Sequence, residues 1–225
     1  MKAPVSPVAK PVGDTGLLFE FGTDIDPAVF DRILAIDAAL AADPPTGMME
    51  AVPAYVSLLI VYDPLVTDAA TLEATARQRM DRAGMAPPAG TDHVIPMCWN
   101  ADLAPDLADA ATQLGMTAEA LIAAHLGAEY RVYMYGFAPG YAYMDGVLAA
   151  LHLPRKTVPV RSRPIGSIMI AGGQCLITTL PMPTGWWVIG ATTTPVLRAH
   201  ESNAFLFRPG DRVRGTAQSR TEFDR

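Results

Sequence analysis

From Tyr130 onward the apolar residues come in short runs, 130–135, 167–171, 174–180, 186–190 and 204–208, broken by glycine or proline. Runs of that length suit strands and are too short for packing helices. Their spacing predicts a small barrel or sandwich. Residues 1–97 read differently. Leu17 to Phe21 is a short apolar strand ending at Gly22. Asp26 caps a helix with Pro27 in its first position, and Val29, Ile33, Ile36 and Leu40 recur at helical spacing until Asp43-Pro44-Pro45 stops it. Strands follow at Met48–Val52 and Val56–Tyr62, then a helix marked by Leu72, Ala76 and Met80, then a strand at Val94–Met97. The order β-α-β-β-α-β is that of a ferredoxin-like α+β unit. The Pro/Gly-rich stretch 84–90 reads as a linker, which divides the chain into an α+β domain, 1–90, and a mainly-β domain, 91–225. Two short helices are expected in the second domain, at 105–114 and 117–126.

The chain of 225 residues carries 17 basic and 23 acidic side chains, net −6, which argues against wrapping nucleic acid. Met1–Gly16 has no apolar core of the signal-peptide type, and no run reaches membrane-spanning length. A cytoplasmic protein is therefore expected, with Cys98 and Cys175 as reduced thiols. Familiar catalytic signatures are missing. Lys156-Thr157 lacks the glycine of a phosphate-binding loop, no glycines stand at GxG spacing, and no serine sits in GxSxG. His93, His125, His152 and His200 are isolated from one another and from cysteine, so no metal and no tightly bound cofactor is expected.

Two features point to a binding site. Gly136-Phe137-Ala138-Pro139-Gly140-Tyr141-Ala142-Tyr143-Met144 is a shaped loop whose rings and backbone N–H groups either face a ligand or plug the barrel core. Secondly, Gly146 to His200 contains no acid but holds Arg155, Lys156, Arg161, Arg163 and Arg198. That cationic segment suits an anion clamp or a surface docking an acidic partner. Asp145 is the candidate general base, and Gln174 offers an amide to a substrate carboxyl group. His125 and Cys175 read as core residues rather than catalysts, and Trp186-Trp187 as core with one ring free for an interface.

Beyond these readings, Tyr133-Met-Tyr-Gly-Phe-Ala-Pro-Gly-Tyr-Ala-Tyr-Met144 resembles the signature of one family. Leu153-Pro-Arg-Lys156, Gly166-Ser167, Ala171-Gly-Gly-Gln174, Gly185-Trp186, Ile189-Gly190 and Pro209-Gly-Asp-Arg-Val-Arg214 continue the match in order, as do Leu17–Gly22 and Val52–Tyr55. The resemblance is to the B subunit of bacterial 5-oxoprolinase and to allophanate hydrolase subunit 1. Their family includes a urea-carboxylase carboxyltransferase region and a sporulation-kinase inhibitor. It implies a cyclophilin-like barrel after the α+β domain. It also implies a hydrolase subunit that acts on cyclic amides within an ATP-using hetero-oligomer, with homologous C-type and further A-type subunits as partners. A small acidic or amide ligand would then meet Gly136, Phe137, Pro139, Gly140, Tyr141, Tyr143, Arg155, Arg161 and Gln174. The alternatives within the family are a kinase-inhibiting binding protein and part of a biotin-dependent carboxylase. Val56, Val160 and Ala191 stand where the family pattern has arginine.

Overall fold

The computed structural model describes residues 6–84, 86–200 and 202–225. The chain forms two compact units, Met1–Ala89 and Gly90–Arg225.

In the first unit β1 (Val8–Val12) and β2 (Gly16–Glu20) precede α1 (Pro27–Ala42), followed by β3 (Met48–Ala54), β4 (Ser57–Tyr62) and α2 (Ala69–Arg82). Both helices start where the sequence gives their first N–H groups a partner. The Asp26 carboxylate accepts from Ala28 N at 2.8 Å, and that of Asp68 from Thr71 N at 2.8 Å. Ile33, Ile36 and Leu40 of α1 and Leu72, Ala76 and Met80 of α2 bury against Leu17, Phe19, Leu58 and Ile60 of the sheet. β4 alternates buried and half-buried residues, as a strand covered mainly on one face does. All pairings in this sheet are antiparallel, in the order β1-β2-β4-β3.

That order corrects the ferredoxin-like expectation. The strand expected at 94–97 does not close this sheet; it belongs to the second unit. The fourth strand is β1, from a segment whose prolines argue against regular structure. Pro11 is tolerated there because β1 is an edge strand.

The second unit begins with β5 (Asp92–Met97), α3 (Leu107–Leu114) and α4 (Ala118–Leu126). Then come β6 (Tyr130–Tyr135), β7 (Ala142–Asp145), β8 (Val160–Arg163), β9 (Ser167–Ala171), β10 (Gln174–Ile177), β11 (Met182–Thr184), β12 (Trp187–Ala191), β13 (Arg212–Ala217) and the short α5 (Arg220–Phe223). Seven strands form one sheet, β12-β9-β10-β7-β6-β13-β5, in which only the β13–β5 pair is parallel. Its two ends meet. Just past β5, Cys98 N donates to Ala191 O at 2.8 Å and Ala191 N donates to Cys98 O at 2.9 Å. The sheet is thereby a nearly closed barrel.

Ile168, Ile170, Cys175, Ile177, Trp187 and Ile189 point into one core together with Leu107, Ala110 and Leu121 from the helices. Their alternate neighbours Met169, Leu176, Trp186 and Val188 enter a second apolar cluster with Tyr141. Cover on both faces explains why β9 and β12 are buried at every position. The run at 204–208 forms no strand, only a single bridge from Phe205 to Leu197. β8 and β11 form a separate two-stranded ribbon. Among the described residues no helix is long and apolar enough to cross a membrane.

Candidate functional site

The Gly/Pro/aromatic loop joins β6 to β7 through two successive tight turns. Ala138 N donates to Gly136 O at 2.8 Å, a γ-turn centred on Phe137 at φ +66°. A side chain larger than hydrogen is strained in that conformation. Tyr141 N then donates to Ala138 O at 3.1 Å, with Pro139 second and Gly140 third at φ +70°. Proline followed by a left-handed residue is the requirement of a type II turn. Gly136 N donates to Tyr141 O at 3.1 Å and closes the base of the loop. Thr179 Oγ1 donates to Pro139 O at 2.7 Å and braces its tip.

This geometry leaves Phe137 69 % exposed while Tyr141 is buried. Phe137, Tyr141, Tyr143 and Trp186 line a cleft of about 100 Å³, with Arg155 beside them and Pro183, Thr184 and Gly185 completing one side. Tyr143 meets Trp186 edge to face at 5.8 Å, and Phe137 lies 5.8 Å from Tyr141. Burial pushes the Tyr141 phenol up to about 12. Burial also raises Tyr143, against the opposing pull of Arg155. Both therefore present neutral O–H groups at physiological pH.

The Arg155 guanidinium lies 5.6 Å over the Trp186 ring, and it makes no hydrogen bond or ion pair with any described residue. Its backbone neighbours are tied down on both sides. Pro154 O accepts from Trp187 Nε1 at 2.8 Å, and Lys156 N donates to Gly185 O at 2.7 Å. Lys156 Nζ sits 5.1 Å over Trp187 and 2.5 Å from Asp106 Oδ1. Asp106 is buried just before α3 and treats β12 as a neighbouring strand would. Its N–H donates to Val188 O at 3.1 Å, and its Oδ2 accepts from Val188 N at 2.8 Å. Arg163 adds a looser contact to Asp106 at 3.8 Å. Two cations of the acid-free segment are thus compensated by one carboxylate that lies outside it.

Of the residues expected to form a site, the structure brings Phe137, Tyr141, Tyr143 and Arg155 together around the cleft. Gly136, Pro139 and Gly140 shape the loop rather than line the cleft. Asp145 and Gln174 are register partners. Each lies two residues along its strand from a lining residue, Tyr143 or Leu176, so about 7 Å further along the same face. Neither lines the cleft. Arg161 is exposed on the β8–β11 ribbon. Trp186, read as core or interface, is a cleft wall, while Trp187 enters the barrel core. Asp106 carries no local signal in the sequence, because its partners lie 50 and 82 positions away.

Two other reactive side chains sit in the barrel core. His125 is buried, with Nδ1 2.5 Å from Tyr130 Oη, and burial lowers its pKa to about 4. Burial likewise pushes the Cys175 thiol up to about 12. Neither group is ionised at neutral pH, as suits packing rather than catalysis. Among the described residues no group of three His, Cys, Asp or Glu side chains is placed to hold a metal ion.

The chain thus pairs an α/β unit with a nearly closed barrel whose second apolar cluster opens into an aromatic and basic cleft. The chain belongs to the family of carboxyltransferase domains, subdomains C and D, whose model matches residues 7–207. It is 32 % identical over 216 residues to the 5-oxoprolinase B subunit of Bacillus subtilis, covering 90 % of this chain and 89 % of that protein. It is 28 % identical over 211 residues to the protein of the same name from Escherichia coli O157:H7, covering 92 % and 94 %. Among solved structures, TTHA0988 superposes with a TM-score of 0.80 at 34 % identity over 90 % of this chain, which spans 39 % of the TTHA0988 chain. The Kluyveromyces lactis urea amidolyase shares the fold, with a TM-score of 0.77 at 15 % identity over 99 % of this chain and 16 % of its own.

Proposed function

We propose that the chain is the B-type subunit of a 5-oxoprolinase-type complex and that its cleft holds the small carboxylate-bearing lactam. The observation that carries this reading is the Arg155 guanidinium, unpaired among the described residues and stacked over Trp186 at an aromatic-walled cleft. A guanidinium in that position pairs with a carboxylate in two parallel hydrogen bonds. The faces of Trp186 and Tyr143 suit a flat five-membered amide ring, and the neutral Tyr141 and Tyr143 hydroxyls offer hydrogen bonds to its carbonyl. The names of the bacterial relatives support both the substrate class and the need for further subunits. ATP is consumed by the assembled complex.

The test is ATP-dependent loss of 5-oxoproline by the chain co-expressed with its homologous C-type and A-type subunits. Turnover is expected. Arg155→Ala removes a charged hydrogen-bond pair worth about 1.5–3 kcal/mol, so 5-oxoproline binding should weaken by roughly 10- to 150-fold. An assembled complex without turnover overturns the substrate assignment.

A further inference from the structure

We propose that the β8–β11 ribbon is the docking edge for a short, extended, acidic segment of the C-type partner. This inference rests on the functional reading just given and adds the surface and its chemistry. β8 pairs only with β11, and β11 only with β8, so among the described strands the ribbon keeps an unpaired edge on either side. An open edge presents backbone N–H and C=O groups in the pattern that an added strand completes. Pro159 and Pro164 bracket β8 and limit its free edge to the four residues Val160–Arg163.

A bulge sets what that edge displays. Met182 faces Arg163 and Thr184 faces Val160, so Arg161 and Ser162 together oppose Pro183 alone. Ser162 takes φ +43° to accommodate the extra residue. Val160 and Arg163 are half-buried, and Arg163 approaches Asp106; Arg161 and Ser162 are left exposed. Arg161 makes no hydrogen bond or ion pair with any described residue. Two residues outside the ends of β8 lie Val158, 74 % exposed, and Ile165, 60 %, and two residues before β11 lies Leu180, 37 %. Exposed aliphatic side chains beside a bare cation and an open strand edge fit a segment that alternates aliphatic and acidic residues.

Charge selects the partner. No Asp or Glu occurs between 146 and 200, so the ribbon cannot satisfy Arg161 from its own segment. A second copy pairing antiparallel along Val160–Arg163 would bring its own Arg161 and Arg163 to the same short edge and add no carboxylate, which disfavours self-association. A carboxylate from a different polypeptide meets the cation without that repulsion.

The experiment measures binding of the chain to its co-expressed C-type partner by calorimetry, together with amide hydrogen exchange. The wild-type complex should protect the amides of 160–163. Arg161→Glu should weaken binding about tenfold or more and flatten its salt dependence, and Val158→Asp with Ile165→Asp should act likewise. All three substitutions are at the surface, so the melting temperature should hold. Val8→Asp, on the first unit, should bind as wild type. A complex that forms without protecting 160–163, or that tolerates Arg161→Glu, overturns the ribbon and leaves the functional reading intact. Absence of any complex with the wild-type chain overturns both.

Discussion

Replacing Asp106 tests how the cleft wall is held. Asp106→Ala removes three interactions at once: the 2.5 Å contact to Lys156, the 3.8 Å contact to Arg163 and the 2.8 Å bond from Val188 N. A buried amide without an acceptor costs about 1–3 kcal/mol. Removing one partner of a buried ion pair costs about 3–5 kcal/mol. The side chains of Lys156 and Arg163 retain 14 % and 19 % of their exposure, so both heads can turn toward water and relieve part of that cost. The net expectation is about 3 kcal/mol, or a fall in melting temperature of roughly 6–12 °C. Asp106→Asn keeps an acceptor for Val188 N and should cost only about 1–2 kcal/mol. Asp106→Ala combined with Lys156→Met should recover about 1 kcal/mol relative to the single variant, because no ammonium is left beside the gap. Urea unfolding followed by tryptophan fluorescence reads the right unit, since Trp99, Trp186 and Trp187 all lie within it. An Asp106→Ala chain within about 1 kcal/mol of wild type, or strictly additive effects in the double variant, would refute the reasoning.

Three further outcomes follow from the barrel core and its turns. His125, held near pKa 4 by burial, takes up a proton more readily unfolded than folded; its stabilisation is complete above pH 6.5 and is lost as pH falls toward 4. Urea midpoints at neutral pH and at about pH 4.5 should therefore differ less for His125→Leu than for wild type, by roughly 2–3 kcal/mol in ΔG. Gly166 has φ +82°, and a Cβ there would stand 2.2 Å from Thr192 O, so Gly166→Ala should cost more than about 3 kcal/mol or fail to fold, as read by circular dichroism. Cys98 and Cys175 are both free and buried, so an aromatic disulfide reagent should titrate neither in the native chain and both in denaturant.

Periodicity in the sequence specifies most elements because each is stabilised locally. The Asp26-Pro27 start of α1 and the strands at 130–135 and 167–171 stand where their patterns place them. Pairing is a different matter. Val94–Met97 reads as a strand in either unit, and only the distant β13 decides which sheet it joins. Val8–Val12 looks broken by proline because a sequence does not mark which strand will be an edge. The same limit applies to the cleft. The aromatic loop is visible as a motif, but Met169, Leu176 and Thr184 reach it from separate strands. The apparent surplus of charge in 146–200 is partly cancelled by Asp106, which only the fold brings near.

The parallel pair β5–β13 joins Asp92 to Arg212 and Met97 to Ala217, across 120 residues of chain. During synthesis β5 therefore waits, unpaired on that side, until β13 follows it 120 residues later. Among the described residues the first unit draws on no strand beyond Tyr62 for its sheet and no helix beyond Arg82 for its core. It can consequently be complete while the second is still an open array of edges. A chain terminated before Arg212 would lose the strand between β6 and β5 and leave its barrel as an unsealed sheet. Loss of β13 would then reach a protease or a chaperone before it reached any assay of the cleft.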